Sequence, residues 1–107
     1  MKRGEVWWVS FDPSIGSEIK KCRPAVIVSN DQANKYMDRV QVIPLTSNTS
    51  KFYPSEAFIS VGDKLSKAMA DQLSTVSKIR FKKCLGKISD NEMEAVERAI
   101  KIQLGMV

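Results

Sequence analysis

The sequence predicts a mainly β domain with a C-terminal α-helix, its strands forming a small, strongly bent antiparallel barrel. Three observations carry this. Short runs of β-branched and aromatic residues recur between residues 4 and 84, bounded by Gly, Pro, Asn and Asp. Only the stretch after Ser89 combines helix punctuation with helical spacing. Strands do not alternate with helices of about ten residues or more, which disfavours a wound parallel sheet.

Residues 4–11, GEVWWVSF, are rich in aromatic and β-branched types and read as the first strand. Trp7 and Trp8 point to opposite sides of it. Asp12-Pro13 ends the run, and 12–22 is a polar loop holding Gly16. Residues 24–29, PAVIVS, read as the second strand, with Pro24 at its first position or on an edge. Asn30 to Asp38 is a connection. Residues 39–46, RVQVIPLT, alternate and read as the third strand, with an edge or bulge at Pro44.

Residues 47–55 read as an exposed loop and 56–61, EAFISV, as a fourth strand stopped by Gly62-Asp63. Periodicity leaves 68–76 ambiguous; Ser74-Thr75-Val76 tilts it toward strand. Residues 78–84 alternate charge with Ile79 and Phe81 and read as strand or extended chain, and Gly86 marks a turn. Ser89 and Glu92 form a capping box, two side chains answering each other's backbone N–H groups. Met93, Val96, Ile100 and Leu104 then recur on one helical face beside Ala99, with Gly105 closing the helix.

The 107 residues favour one domain, spanning 1–107, large enough to bury a core without disulfides or metal. No apolar run reaches the roughly 20 residues of a membrane span. The N-terminus lacks a secretory apolar core, so the expected address is cytoplasmic. The net charge of +5 suits either a polyanion or simple solubility. Cys22 and Cys84 match no zinc or redox spacing and read as free thiols. With His 0, the chain has no Ser-His-Asp triad, no Cys-His pair and no paired-histidine ribonuclease chemistry. Any proton transfer falls to carboxylates, Lys, Tyr, Arg or water.

Four constellations can carry chemistry. Arg23, held by Pro24 and preceded by Gly16, Ser17, Glu18, Lys20 and Lys21, outlines a phosphate site; a solvated basic turn explains the same residues. Pro44-Leu45-Thr46-Ser47 places two hydroxyls at a strand end, suited to an oxyanion or to an ordinary turn. Asp71, between apolar neighbours and before Gln72, is a base, a base-edge reader or a structural hydrogen-bonder. Lys78, Arg80, Lys82, Lys83 and Lys87 form a positive run with no acid, a solvated face or an RNA backbone contact. Trp7, Trp8, Phe52 and Tyr53 are available to stack on bases.

GEVWWVSFDPSIGSEIKKCRPAVIVSN, VQVIPLTSN, ADQLSTVSKIRF and the capped C-terminal helix, in this order, resemble the MazF/PemK family of toxin endoribonucleases across nearly the whole chain. The resemblance implies an SH3-like barrel of the CcdB/PemK-like kind, usually a homodimer. It implies sequence-specific cleavage of single-stranded RNA without a metal or other cofactor, leaving 2′,3′-cyclic phosphate and 5′-hydroxyl ends. It also implies inhibition by a cognate antitoxin whose disordered tail wraps the active-site groove. The family's catalytic arginine and threonine fall on Arg23 and Thr46, and its loop glutamate on Glu18. Ser17, Lys20, Lys21, Ser47, Asn48, Phe52, Tyr53, Asp71, Gln72, Lys78, Arg80 and Lys82 are the expected RNA contacts. Three positions depart from the pattern. Ser10 stands where the family often has aspartate. Met69 stands where plasmid-type relatives have an arginine, and no histidine is available for their residue set. Asp71 therefore lacks that arginine partner. Two competing readings are a non-catalytic CcdB-like barrel that binds a protein such as gyrase, and an SH3-like nucleic-acid-binding module.

Overall fold

The computed structural model describes residues 1–11 and 21–106. Its elements are β1 (Glu5–Ser10), β2 (Cys22–Ile27), α1 (Asp31–Tyr36), β3 (Arg39–Thr46), β4 (Glu56–Val61), β5 (Lys64–Met69), β6 (Ser74–Ser77), β7 (Phe81–Lys87) and α2 (Asp90–Gln103), with 3-10 turns at Ala70–Gln72 and Lys78–Arg80. The strands run in the order β4-β5-β3-β2-β1-β7, every pairing antiparallel, with β6 added on β3. This is the expected mainly β architecture with a terminal helix, the sheet curling into a half-barrel. Among the described residues no helix is long and apolar enough to cross a membrane.

The curl is centred on β3. Its first half, Arg39 to Val42, pairs with β6, while Leu45 and Thr46 pair with Ala68 and Lys67 of β5. Pro44 falls between those two partners, where its missing N–H costs no ladder bond. It is neither an edge residue nor a bulge, as expected from sequence, but the point at which the strand changes neighbours. Pro24 differs too. It is the third residue of β2, paired with Trp8, one residue beyond the last β2–β3 pair, Ala25–Pro44.

Two cores result. Val26, Ile43 and Leu45 point to one side with Ile59, Val96 and Ala99; Ala25, Ile27, Val40 and Val42 point to the other with Val9, Val76 and Phe81. Burial on both faces explains why AVI and VIPL read as unbroken apolar runs. Each fully buried Ile or Leu contributes about 1.5–3 kcal/mol of transfer free energy.

Several elements correct the sequence reading. The 30–38 connection contains α1, capped by the Asn30 side chain accepting from the Ala33 N–H. Residues 64–69 form a strand, joined to β4 by a two-residue turn with Gly62 at φ 62°. Residues 78–80 are a 3-10 turn, and the strand expected over 78–84 runs from Phe81 to Lys87. Gly86 is no turn: it lies inside β7 at φ 145°, beside a register shift. The shifts leave Leu85 and Lys82 as extra residues opposite β1, bending the edge strand. The α2 capping box forms as expected, Val96 and Ala99 are buried, and Leu104 is exposed at the C-cap.

Candidate functional site

The β2–β3 register builds the site. Ala25–Pro44 is the last β2–β3 pair, with Arg23 two residues before it on β2 and Thr46 two residues after it on β3. No β2–β3 pair is formed beyond Ala25, because β3 has turned to β5 there. A cleft of about 460 Å³ opens where the strands part. Lys21, Cys22, Arg23, Pro24 and Trp8 line one wall; Leu45, Ser47, Val61, Lys64, Ser66 and Leu85 complete it. Thr46 stands between two lining residues without lining the cleft itself, and its Oγ1 accepts the Asn48 N–H at 3.2 Å.

Lys21, Arg23 and Lys64 are among the lining residues, and the described lining holds no carboxylate. Arg23, paired through its backbone with Val9, is half-buried and belongs to none of the ion pairs among the described residues. A guanidinium so placed is available to an anion. Lys21 takes φ 61° and its carbonyl accepts the Phe11 N–H at 2.9 Å, closing the β1–β2 ladder. For a residue with a Cβ that conformation costs about 1–2 kcal/mol. Trp8 is 40% exposed at the wall, whereas Trp7 is half-buried and meets Phe81 edge-on at 5.9 Å.

The other expected contacts are distributed. Gln72 and Arg80 line a second, smaller cleft of about 230 Å³ with Ser10 and Phe11. Ser10 is the β1 partner of Cys22, so the two clefts flank the same strand ends. Arg80 reaches the Ser10 carbonyl at 3.4 Å. Tyr53 and the exposed Asp71 share a third depression. Phe52 stacks on Phe58 at 4.5 Å, both rings partly exposed. Asn48 is used by its own loop, its Oδ1 accepting from the Ser50 N–H and hydroxyl. Lys78 donates to the Asn34 carbonyl and ties its turn to α1. Lys82 is exposed in the β7 bulge. Ser17, Glu18 and Lys20 lie outside the described residues.

Sequence reasoning missed Lys64, and also the buried pair Lys67–Glu56 behind the loop. Lys64 was findable: Gly62-Asp63 is a hairpin turn signal, and the residue after it opens the return strand. Lys67 carried no signal, since a lysine between Ser66 and Ala68 reads as an exposed strand residue.

A family model described as "PemK-like, MazF-like toxin of type II toxin-antitoxin system" matches residues 2–104. Endoribonuclease MazF9 of Mycobacterium tuberculosis is 37% identical over 115 residues, covering 99% of this chain and 98% of the relative. The crystal structure of MazF from Deinococcus radiodurans superposes with a TM-score of 0.87 at 26% identity, over 99% of this chain and 97% of that one. An endoribonuclease of a Mycobacterial species, in complex with its cognate antitoxin, superposes with a TM-score of 0.84 at 23% identity, over 100% and 97%.

Proposed function

Because the chain belongs to the PemK-like, MazF-like toxin family of type II toxin–antitoxin systems, we propose that it is an endoribonuclease that cuts single-stranded RNA where β2 and β3 part. One observation supports the placement: Arg23 lines a cleft with Lys21 and Lys64, its described lining has no carboxylate, and Leu45 and Ser47 on either side of Thr46 line the same cleft.

The RNA 2′-hydroxyl attacks the adjacent phosphorus, the bond to the 5′-oxygen breaks, and the products are a 2′,3′-cyclic phosphate and a 5′-hydroxyl. The substrate supplies the nucleophile, so the step needs neither a protein nucleophile nor a metal or other cofactor. Arg23 meets the charge that grows on the non-bridging oxygens, and Thr46 donates its hydroxyl to one of them. Arg23 does not serve as the base, because a guanidinium hardly deprotonates in a protein. Glu18 takes the 2′-hydroxyl proton, or orients Arg23 while water takes that proton; the leaving 5′-oxygen takes a proton from water. Lys21 and Ser47 hold the flanking backbone, and the 47–55 loop reads bases. The chain acts as one domain in the cytoplasm, as a homodimer restrained by a cognate antitoxin, as the Mycobacterial neighbour is bound by its own.

The deciding experiment is a digest of a long single-stranded RNA in EDTA by wild type and Arg23→Ala, with both 5′ ends and cut sites mapped. Cuts at a recurring short sequence with 5′-hydroxyl ends, lost in the variant, are expected. RNA left intact by folded, antitoxin-free protein would overturn the reading in favour of a binding module.

A further inference from the structure

The loop from Ser47 to Ser55 is held from inside by one side chain. Lys67, the β5 partner of Thr46, is buried, with its ammonium beneath the loop. There it donates to the Lys51 carbonyl and to Glu56 Oε1 at 3.1 Å, and sits 5.7 Å from the centre of the Tyr53 ring. Glu56 Oε1 also accepts the Tyr53 N–H at 2.8 Å. The far end of the loop is fixed by the Ala70 N–H donating to the Ser55 carbonyl at 3.0 Å, and its start by the Asn48 N–H on Thr46 Oγ1. The outer side of the same segment presents Phe52 and Tyr53, 51% and 54% exposed, while Ser47 lines the Arg23 cleft.

A buried lysine is an expensive way to fill space. An apolar pair of the same volume generally supports a fold as well or better. An ammonium, however, requires specific acceptors at specific places, and here they lie on either side of Phe52 and Tyr53 in sequence. We propose that Lys67 is a positioning residue: through Glu56 and the Lys51 carbonyl it fixes the 47–55 loop in the one conformation that selects which RNA sequence is cut. This rests on the ribonuclease reading above.

The test uses the full chain carrying Lys67→Met with Glu56→Gln. This pair keeps volume, removes both charges and leaves an acceptor for the Tyr53 N–H. Glu56→Leu replaces Glu56→Gln if the first pair does not fold. On one short RNA, KM should rise about tenfold with kcat within about threefold of wild type. On a long RNA the set of cut sequences should widen, which a merely structural role would not produce. Amide exchange across 48–55 should quicken about tenfold while β1–β3 stay protected. Lys67→Arg, which keeps a cation there, should stay close to wild type. A folded double variant with unchanged KM and unchanged cut sites overturns the proposal. Should wild type itself leave RNA intact, the ribonuclease reading falls by itself, and unchanged exchange over 48–55 then overturns the role of Lys67.

Discussion

Lys67 Nζ lies 3.1 Å from Glu56 Oε1, and the two side chains are only 7% and 6% exposed. The pair joins β5 to β4 directly beneath the loop that follows Thr46. Removing one member strands the other. Glu56→Leu alone should therefore cost about 3–5 kcal/mol of unfolding free energy, whereas Lys67→Met with Glu56→Leu should come within about 1–2 kcal/mol of wild type. Urea unfolding of both singles and the double gives the coupling directly. Additive losses would mean the pair does not act as a unit.

Glu92 ties α2 to the sheet as well as to its own cap. Its carboxylate accepts the Ser89 N–H at 2.9 Å and the Ser60 N–H at 2.6 Å. Burial pushes its pKa up, but the bonds from Ser89 and Ser60 outweigh burial and hold it below the usual value of 4.5. The folded state thus favours the ionised form. Its stabilisation is present above the unfolded value and is lost as pH falls through the folded one. Glu92→Gln should lower stability near neutrality by about 1 kcal/mol. The gap to wild type should begin to close as pH falls below the usual 4.5 and should vanish only below the lower folded value. Glu5 and Asp31, also shifted down, are common to both proteins and cancel in the difference. A gap that stays constant down to acid pH would refute the assignment.

The strands with a continuous apolar signal were legible in sequence to the residue: β3 at 39–46 and β4 at 56–61 stand where the pattern puts them. The capping box gave the start of α2 because two side chains encode it locally. What was hidden depends on partners distant in the chain. Pro44 sits mid-strand because β6 and β5 end on either side of it, which no local pattern shows. Gly86 reads as a turn because the same left-handed freedom serves a turn and a bulge alike. α1 was overlooked although Asn30 is a cap, since six residues are too few to display a period. At the site, the residues themselves point to Arg23 and to Thr46-Ser47 as candidates and the resemblance supplies their roles, while the parting of β2 and β3 beyond Ala25–Pro44 is not legible locally. The other expected contacts carry no common location in the sequence, and the folded chain spreads the described ones over several depressions.

Gly86 supplies a stability test of the bulge. A Cβ there would meet nothing within 4 Å, so any cost of Gly86→Ala is conformational, from φ 145°. A loss of about 1–3 kcal/mol in thermal or urea unfolding is expected. No change would show that β7 relaxes to another register without penalty.

Lys64 lines the same cleft as Arg23, so it should touch the RNA backbone rather than a base. Lys64→Ala should weaken binding of a non-cleavable 2′-deoxy analogue similarly for all sequences. It should also reduce the slope of log K against log salt by about 0.7, one phosphate's worth for a single strand. An unchanged slope would remove Lys64 from the interface.

If Arg23 and Thr46 meet the same phosphate, their losses cannot add. Arg23→Ala should cost about 10²–10³ in kcat, the usual worth of one preorganised contact. Thr46→Val, which removes the hydroxyl, should cost a comparable factor, and Thr46→Ser, which keeps it, much less. Once Arg23 is gone, the phosphorane oxygens lose the charge that makes the Thr46 hydrogen bond effective. The double variant should then be only slightly slower than Arg23→Ala, well short of the product of the two single losses. Single-turnover cleavage of one short RNA measures all three. Multiplicative losses would place the two side chains at different phosphates.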